Sequence, residues 1–329
     1  MKYAKLGKKN MDISKIIIGG GAIGGILFKY GKENAVEGIR RALNYGINWF
    51  DTAEAYGNGK SEEMLGEILK ELDARPNISS KVIFRGDEFN DISGTIRRHL
   101  EASLKRMNRD SIELYQLHNA ITQNRFDSRN SLSVDDVLGT KGAAETLEKL
   151  REEGLIRATG FTAFGDPRCS VAMVESGFFD SLQVYFNLLN PSALWDLPAD
   201  FNTRNFLRII KTAKENDVSV LNVRVLAAGA LAGRVLPVDI PAFFPGMEGQ
   251  KENARVQSIM EGLKINKEEL YKLALRTSFH EPAITAVCVG FSSADEIDAA
   301  VAVLDEPPVD DDTIALLKTL YGRSPFTGS

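Results

Sequence analysis

The 329-residue sequence has little cysteine and little histidine, and it has no long hydrophobic run. Its two cysteines, Cys169 and Cys288, cannot form a disulfide framework, and this scarcity favours a reducing compartment. Three histidines and no cysteine spacing typical of metal ligands indicate that no metal is bound. No stretch approaches the length of about eighteen apolar residues that a membrane span needs. We therefore expect a cytoplasmic protein without structural metals or membrane helices.

Charge and the N-terminal residues narrow the range of partners further. The net charge is −5, so broad electrostatic attraction to nucleic acid or to an anionic membrane is not expected. Residues 1–7 lack the apolar segment of a signal peptide. Apolar residues make up 43% and charged residues 26%, as is ordinary for a globular protein. We expect a small-molecule ligand, and a monomer or small homo-oligomer.

Short apolar strands alternate with amphipathic helices after a predicted hairpin in the first fifteen residues. The predicted strands are 16–18, 47–53, 78–84, 112–118, 158–163, 181–186, 219–225 and 285–289. The predicted helices are 34–43, 61–72, 94–107, 143–153, 171–176, 205–216, 267–278 and 294–303, followed by a polar tail. Eight such units predict a (β/α)8 TIM barrel, an α/β fold with a closed parallel sheet. The alternative, two doubly wound halves, lacks a linker, so residues 1–329 are predicted to be a single domain.

Two connections in this scheme are long, one after the fourth strand (119–140) and one from 227 to about 257 after the seventh. Both would lie at the carboxyl-terminal face of the barrel. Long loops at that face usually shape ligand sites, so we expect the site there.

A glycine motif after the first barrel strand invites a different interpretation. Residues 19–24, GGGAIG, match the dinucleotide fingerprint G-x-G-x-x-G. That fingerprint needs a helix that opens at its third glycine, and none begins before residue 31. We therefore interpret the segment as a loop that approaches a ligand closely, with Gly21 among its contacts.

Four polar residues, Asp51, Tyr56, Lys81 and His118, lie at or just after the ends of three predicted neighbouring strands. Each alone has an ordinary structural interpretation: a helix cap, a loop aromatic, a solvated lysine and a structural histidine. Together they can deliver a proton near neutral pH. A different register of the third strand would put Asp87 at the position of Lys81, but we prefer Lys81.

These residues lie in segments that resemble the aldo-keto reductase superfamily over nearly the whole chain. The segments are FDTAEAYG at 50–57, SSKV at 79–82, DSIELYQLH at 110–118, GFT at 160–162, QVYFN at 183–187 and VGFSS at 289–293. The resemblance implies a (β/α)8 barrel that interconverts carbonyls and alcohols with a nicotinamide cofactor. Segment VRVLAAG at 223–229 and His118-Asn119 are most similar to bacterial members that handle aldoses, such as those like D-threo-aldose 1-dehydrogenase.

The chemistry of carbonyl reduction accounts for the four residue types. Hydride addition leaves an alkoxide, and Tyr56 can protonate it if the pKa of its phenol is lowered from roughly 10. A nearby ammonium favours phenolate, so Lys81, held by Asp51, is expected to lower that pKa. His118 is expected to donate a hydrogen bond to the carbonyl oxygen. The family resemblance implies the same roles.

The resemblance also implies a set of cofactor residues. They are Gly21, Thr52, Thr162, Gln183, Arg224, Leu226, Gly229, Leu231, Gly290, Ser292 and Ser293. The chain departs from the family pattern at Ala163, where an asparagine is usual, and at Arg224, where an aromatic is usual. Family habit favours NADP(H). NAD(H) stays open because no arginine or lysine lies between Val287 and Val303.

The predicted substrate contacts are Trp49 and Asn119, and the predicted substrate is a carbonyl compound or a sugar. Two other functions remain as alternatives. One is a non-catalytic barrel that binds nucleotide to sense redox state, and the other is a sugar lyase or epimerase on the same barrel.

Overall fold

Eight parallel strands close into a barrel in the computed structural model, which describes residues 1–238 and 246–328. The strands in the described part of the chain are β1 Tyr3–Leu6, β2 Met11–Ser14, β3 Ile16–Gly19, β4 Trp49–Asp51, β5 Asn77–Val82, β6 Ile112–Leu117, β7 Ile121–Thr122, β8 Leu132–Ser133, β9 Ile156–Thr162, β10 Ser181–Tyr185, β11 Ser219–Val223 and β12 Ala286–Gly290. Their order around the barrel is β10-β11-β12-β3-β4-β5-β6-β9. The predicted TIM barrel is therefore confirmed.

Helices cover the outside of the barrel, as the amphipathic patterns predict. They are α1 Lys32–Asn44, α2 Lys60–Glu71, α3 Ile92–Met107, α4 Val134–Leu138, α5 Ala143–Glu152, α6 Pro167–Glu175, α7 Ile209–Glu215, α8 Gly249–Leu263, α9 Lys267–Phe279, α10 Ala294–Val303 and α11 Asp311–Leu320. Within residues 1–238 and 246–328, three short 3-10 helices span Gly7–Lys9, Gly86–Asn90 and Ala227–Ala232. Helix α3 illustrates how a cap and an apolar face define these helices. The Asp91 carboxylate caps its first turn by accepting from the Gly94 amide, and Ile96 and Leu100 are fully buried.

The predicted N-terminal hairpin is present, and it closes one end of the barrel. Strands β1 and β2 pair antiparallel, and Leu6 and Ile13 pack against Leu114 and Leu221 from inside the barrel. This apolar plug leaves the opposite end, where the strands have their carboxyl termini, to carry polar side chains.

Several helices depart from the sequence-based expectations. The long connection after β11 contains α8, while residues 239–245 of that connection lie outside the described residues. The predicted polar tail is wrong, because it contains α11, whose Leu317 is fully buried in a second apolar cluster with Ile259 of α8 and Tyr321. Helix α7 begins at Ile209, four residues later than predicted for that helix.

The connection after β6 is also more ordered than predicted. Strands β7 and β8 pair in parallel within it, and the Ser133 hydroxyl caps α4 by accepting from the Asp136 amide.

No helix in residues 1–238 or 246–328 has both the length and the hydrophobicity needed to cross a lipid bilayer.

Alternation along β5 decides which of its polar side chains enter the barrel. Ser79 and Lys81 are two residues apart and both bond to Asp51, inside the barrel. Ser80, between them, points outward and donates to Glu62 of α2 at 2.5 Å. The strand thus delivers an ammonium to the centre of the molecule.

Candidate active site

Asp51, Lys81 and Tyr56 form one hydrogen-bonded group at the carboxyl-terminal end of the barrel. The Lys81 Nζ donates to Asp51 Oδ2 at 2.7 Å, to the Thr52 carbonyl at 2.7 Å and to the Tyr56 hydroxyl at 3.3 Å. Lys81 is 0% exposed and Asp51 is 3% exposed, whereas Tyr56 is partly exposed. The phenol is therefore the member of this group that can meet a ligand.

The strand register explains how Lys81 reaches this position. Lys81 pairs with Gln116 across β5 and β6, and Asp51 pairs with Ser79 across β4 and β5. Asp87, the alternative at this position, lies in the 3-10 helix Gly86–Asn90 and outside the barrel strands. The structure therefore has the register in which Lys81 faces Asp51.

The Asp51 carboxylate accepts three side-chain hydrogen bonds. Besides Lys81, the donors are Ser79 Oγ at 2.8 Å and Gln183 Nε2 at 2.6 Å. Ser79 was not among the sequence-predicted site residues. Its position two residues before Lys81 was the available signal, because a strand puts such residues on the same face. These bonds fix the carboxylate that orients Lys81.

Burial raises the pKa of Tyr56 to about 12, and the adjacent Lys81 ammonium offsets only part of that rise. The expected net lowering of this pKa is therefore wrong in the structure, because desolvation of the phenolate outweighs its attraction to the ammonium. Burial opposes the charged form of Lys81 too, but Asp51 more than compensates and the pKa of Lys81 is raised. At neutral pH Tyr56 is therefore a neutral phenol and Lys81 an ammonium.

His118 follows β6 and faces Tyr56 edge-on, with 5.6 Å between the ring centroids. Burial first, and then the Lys81 charge, lower the pKa of His118 from 6.5 to about 3, so the imidazole is neutral. Its Nδ1 has no hydrogen-bond partner within residues 1–238 and 246–328. A neutral imidazole with unused hydrogen-bonding capacity beside a phenol can position a polar ligand oxygen.

The predicted contacts for the nicotinamide end lie around this group, but two of the hydroxyls are engaged within the protein. Thr162 Oγ1 donates to the carbonyls of Leu117 and His118, each at 3.2 Å, and Thr52 Oγ1 bonds to Ser61 Oγ at 2.8 Å. Thr52 therefore contributes its carbonyl to Lys81, and its hydroxyl is used within the protein.

Arg224 follows β11 in a left-handed conformation, with φ of 56°. Its guanidinium lies 3.6 Å from the Glu252 carboxylate and 5.4 Å from the centroid of the Tyr185 ring. Burial raises the pKa of Glu252 to about 7 despite the neighbouring arginines. Arg224 thus links the barrel rim to α8, a connection that sequence reasoning missed because Glu252 lies in the unassigned part of the long loop.

The small-residue segment after Arg224 forms a 3-10 turn. Leu226 precedes the 3-10 helix Ala227–Ala232, and Gly229 has a φ of 98°, which favours glycine. Leu231 is fully buried in the cluster formed with α8, α9 and α11. Its side chain is therefore part of the apolar packing under the turn.

Gly290 is exposed at the end of β12, just before the N-terminus of α10. The Glu296 carboxylate occupies this helix start: it accepts from the Ser292 amide at 2.7 Å and from Ser292 Oγ at 2.7 Å. Ser293 caps the helix by accepting from the Glu296 amide at 3.4 Å. The Glu296 carboxylate thus binds the Ser292 amide and hydroxyl, which are the kind of donors that a helix N-terminus commonly offers to phosphate.

The glycine loop after β3 packs closely against this end of the barrel. A Cβ added to Gly24 would lie 2.3 Å from the Phe291 nitrogen, and one added to Gly21 would lie 3.6 Å from Tyr56 Cζ. The segment continues as turns until α1 begins at Lys32. It therefore lacks the helix of a Rossmann fingerprint and instead forms one wall beside Tyr56 and the end of β12.

The structure buries both predicted substrate residues within the protein. Trp49 is fully buried in the apolar plug at the hairpin end of the barrel, because alternation along β4 places it below Asp51. The side-chain amide of Asn119 bonds to main-chain groups. It accepts from the Phe84 backbone amide at 2.8 Å and donates to the Asn130 carbonyl at 2.6 Å.

The fold and the site together define a parallel β/α barrel in which a tyrosine is hydrogen-bonded to a buried lysine at the carboxyl-terminal ends of the barrel strands. The aldo/keto reductase family profile matches residues 15–321, and the chain belongs to this family of oxidoreductases. Within the described ranges, no group of three or more histidine, cysteine or acidic side chains is arranged to hold a metal ion.

The relatives compared next are distant but match over nearly their whole length. L-galactose dehydrogenase of Arabidopsis thaliana is 26% identical over 324 residues, which is 96% of this chain and 92% of that protein. Two solved structures share the fold at 22% identity. The holo form of aldo-keto reductase AKR11C1 from Bacillus halodurans has a TM-score of 0.74, with 97% of this chain and 96% of that one covered. Glycerol dehydrogenase AKR11B4 from Gluconobacter oxydans has a TM-score of 0.71, with 99% and 97% covered.

Proposed function

We propose that the protein is an NAD(P)-dependent oxidoreductase that interconverts an aldehyde or ketone and its alcohol, with Tyr56 as general acid and base. The observation that supports this most directly is the Lys81 ammonium, which is completely buried and bonds both Asp51 and the Tyr56 hydroxyl. A single barrel domain over residues 1–329 carries the activity in this proposal.

The roles of the four residues follow from their charges. A neutral Tyr56 donates its proton to the oxygen of a carbonyl that is being reduced, and the phenolate that forms lies beside the Lys81 ammonium. Lys81 cannot relax away because Asp51 and the Thr52 carbonyl hold it. His118, neutral and 5.6 Å from the Tyr56 ring, orients the carbonyl oxygen. A bound nicotinamide dinucleotide would supply the hydride.

The residues around the site fit such a dinucleotide. Gly21 lies beside the Tyr56 ring, where an added Cβ would be 3.6 Å from Tyr56 Cζ. Gly229, with a φ of 98°, follows β11, and Gly290 is exposed at the end of β12. Gln183, Thr162 and Arg224 would face the nicotinamide end, and Ser292 and Ser293 the adenosine end. The Glu296 carboxylate at Ser292 would repel a 2′-phosphate, so this geometry supports NAD(H) over NADP(H).

The proposed substrate is a small sugar or polyol carbonyl. Two of the similar proteins are named for L-galactose and for glycerol, both of which carry several hydroxyl groups. Tyr56 and His118 supply hydrogen-bonding groups beside the aromatic ring of Phe164, whose centroid is 5.8 Å from that of His118. Such a mixed surface suits a hydroxylated carbon chain.

The test is turnover of a panel of aldehydes, ketones, aldoses and polyols with NADH, NADPH and their oxidised forms, followed by nicotinamide absorbance. We expect turnover of hydroxylated substrates, and a loss of about a thousandfold or more in Tyr56→Phe. Tyr45→Phe is the matched control, because Tyr45 ends α1 and is 37% exposed.

Unchanged turnover in Tyr56→Phe would contradict the mechanism. Product formation from a sugar without any absorbance change would support a lyase or epimerase instead. Tight nucleotide binding with no turnover of any substrate in the panel would support a redox-sensing barrel.

A further inference from the structure

His99, on α3, bridges two carboxylates that belong to two different loops at the active-site end of the barrel. Its Nδ1 is 2.7 Å from Glu54 Oε1 and its Nε2 is 2.9 Å from Glu88 Oε1. Glu54 lies between β4 and Tyr56, and Glu88 lies in the 3-10 helix Gly86–Asn90 that follows β5. The imidazole therefore ties together the two loops that flank Tyr56 and Lys81.

This geometry requires a particular protonation state. A neutral imidazole has one donor and one acceptor, whereas both carboxylates here need a donor. Only the imidazolium satisfies both bonds. In agreement, the hydrogen bond to Glu54 raises the pKa of His99, although partial burial opposes the charge.

Glu54 carries the effect of His99 to Tyr56. The same Glu54 Oε1 that faces His99 also accepts from the Ile83 amide at 2.8 Å. Ile83 is two residues beyond Lys81, and Tyr56 is two residues beyond Glu54. The Glu54 carboxylate thus fixes the loop that bears the phenol against the strand end that bears the ammonium. The 3.3 Å separation of Lys81 Nζ and the Tyr56 hydroxyl depends on that alignment.

Two other charged residues of α3 are held in ion pairs. Arg106, also on α3, bonds Glu62 of α2 at 2.6 Å and lies only 4.0 Å from Glu54. Toward α5, Arg97 pairs with Glu153 at the opposite side of the helix. Histidine is the side chain that ordinarily changes its charge near neutral pH, so protonation of His99 is the variable element of the cluster.

We propose that His99, held as an imidazolium between Glu54 and Glu88, is a positioning residue that aligns Tyr56 with Lys81 for proton transfer. The inference rests on the proposed function of Tyr56, and it adds a residue of α3 that acts through the loop bearing Glu54.

The pH dependence has a definite sign. Because the folded-state pKa of His99 is raised above its ordinary value of 6.5, the bridge is complete below that value. It is lost as pH rises through the raised pKa. Turnover should therefore decline on the alkaline side as the Glu54 loop loosens.

The kinetic test compares His99→Gln, His99→Lys and the control His280→Gln, whose histidine ends α9 away from the two loops. We expect His99→Gln to lower kcat about tenfold at neutral pH and to lose the alkaline decline, with KM changed less than about twofold. His99→Lys should restore part of kcat and move the decline toward the lysine pKa of about 10.4. A kcat and pH profile in His99→Gln equal to those of His280→Gln would overturn the proposal.

A second readout does not need turnover. The chain has three histidines, so ¹⁵N spectra of the imidazoles resolve each one, and the His99→Gln variant assigns the signal of His99. We expect both nitrogens of His99 to be protonated at pH 7, and the ¹³C signal of the Tyr56 ring to shift as His99 titrates. A neutral His99 at pH 7 would overturn the inference, and so would a Tyr56 signal that stays unchanged while His99 titrates. If the substrate panel gave no turnover, the proposed function would fail, whereas these spectra would still decide the role of His99.

Discussion

The Lys81 ammonium donates to the Tyr56 hydroxyl at 3.3 Å while Asp51 and the Thr52 carbonyl hold it at 2.7 Å each. The ammonium has no contact with solvent. Its charge is balanced inside the barrel by the Asp51 carboxylate. The same pair therefore bears on both stability and chemistry, and the two effects can be separated by mutation.

Replacing Lys81 by methionine should destabilise the protein, because Asp51 is left as an unpaired buried charge. We expect a loss of about 3–5 kcal/mol in the free energy of unfolding, and loss of measurable turnover. Chemical denaturation and steady-state assays measure the two effects. The double variant Lys81→Met/Asp51→Asn should regain part of the stability but none of the activity. Recovery of activity in the double variant would contradict the role of the ammonium.

The depressed pKa of His118 predicts a pH effect on folding. Its pKa is about 3 in the folded state against 6.5 ordinarily, so the unfolded chain takes up a proton first on acidification. Its contribution to stability is complete above pH 6.5 and is lost as pH falls toward 3. Unfolding free energies measured across this range should fall less steeply in His118→Asn than in the wild type. Parallel slopes for the two proteins would show that His118 is charged in the folded state.

The Glu296 carboxylate at the start of α10 predicts the cofactor preference. Replacing Glu296 by glutamine keeps a side chain of the same length but removes the negative charge beside Ser292. We expect the Kd for NADPH to fall about tenfold, since about 1.4 kcal/mol of repulsion is removed, while the Kd for NADH stays within about twofold. Quenching of protein fluorescence measures both. Glu269→Gln, in the capping box of α9, is the control, and an equal response of the two variants would refute the proposal.

The close approach of the glycine loop to the end of β12 predicts a steric effect. In Gly24→Ala the new methyl would lie 2.3 Å from the Phe291 nitrogen and 2.4 Å from the Gly290 carbonyl carbon. Because both neighbours are backbone atoms, we expect a loss of about 2 kcal/mol or more in unfolding free energy. In Gly322→Ala the nearest atom would lie 3.6 Å away, so this control should be close to neutral. Equal stability of the two variants in thermal and chemical denaturation would contradict the packing.

Regular local patterns were sufficient to predict the barrel. Strands and helices alternate with the periods of a buried strand and an amphipathic helix, and eight repeats close a parallel sheet. The N-terminal hairpin was predicted from the turn between its two strands, β1 and β2. Helix α11 was not predicted although half of its residues are apolar. Leu317 is buried by contact with α8 rather than by the barrel, and that contact is decided by the tertiary structure.

The polar residues divide in a similar way. Asp51, Lys81 and His118 could be predicted to approach one another, because parallel strand ends meet at one face. Asn119 and Trp49 have residue types suited to a substrate pocket, yet Asn119 is engaged by the Phe84 backbone and Trp49 faces the apolar plug. The bridge from Glu54 through His99 to Glu88 joins residues up to 45 positions apart, and no local pattern marks it.

The sequence alone determined the family, the barrel and the types of group that gather at its open end, because these depend on local periodicity and on the order of the strands. Tertiary structure decided the charge states. Burial keeps Tyr56 a neutral phenol and His118 a neutral imidazole, while Asp51 keeps Lys81 charged. It also decided that the Glu296 carboxylate lies at the start of α10. These properties depend on desolvation and on distances between groups far apart in the chain, and only the folded chain specifies them.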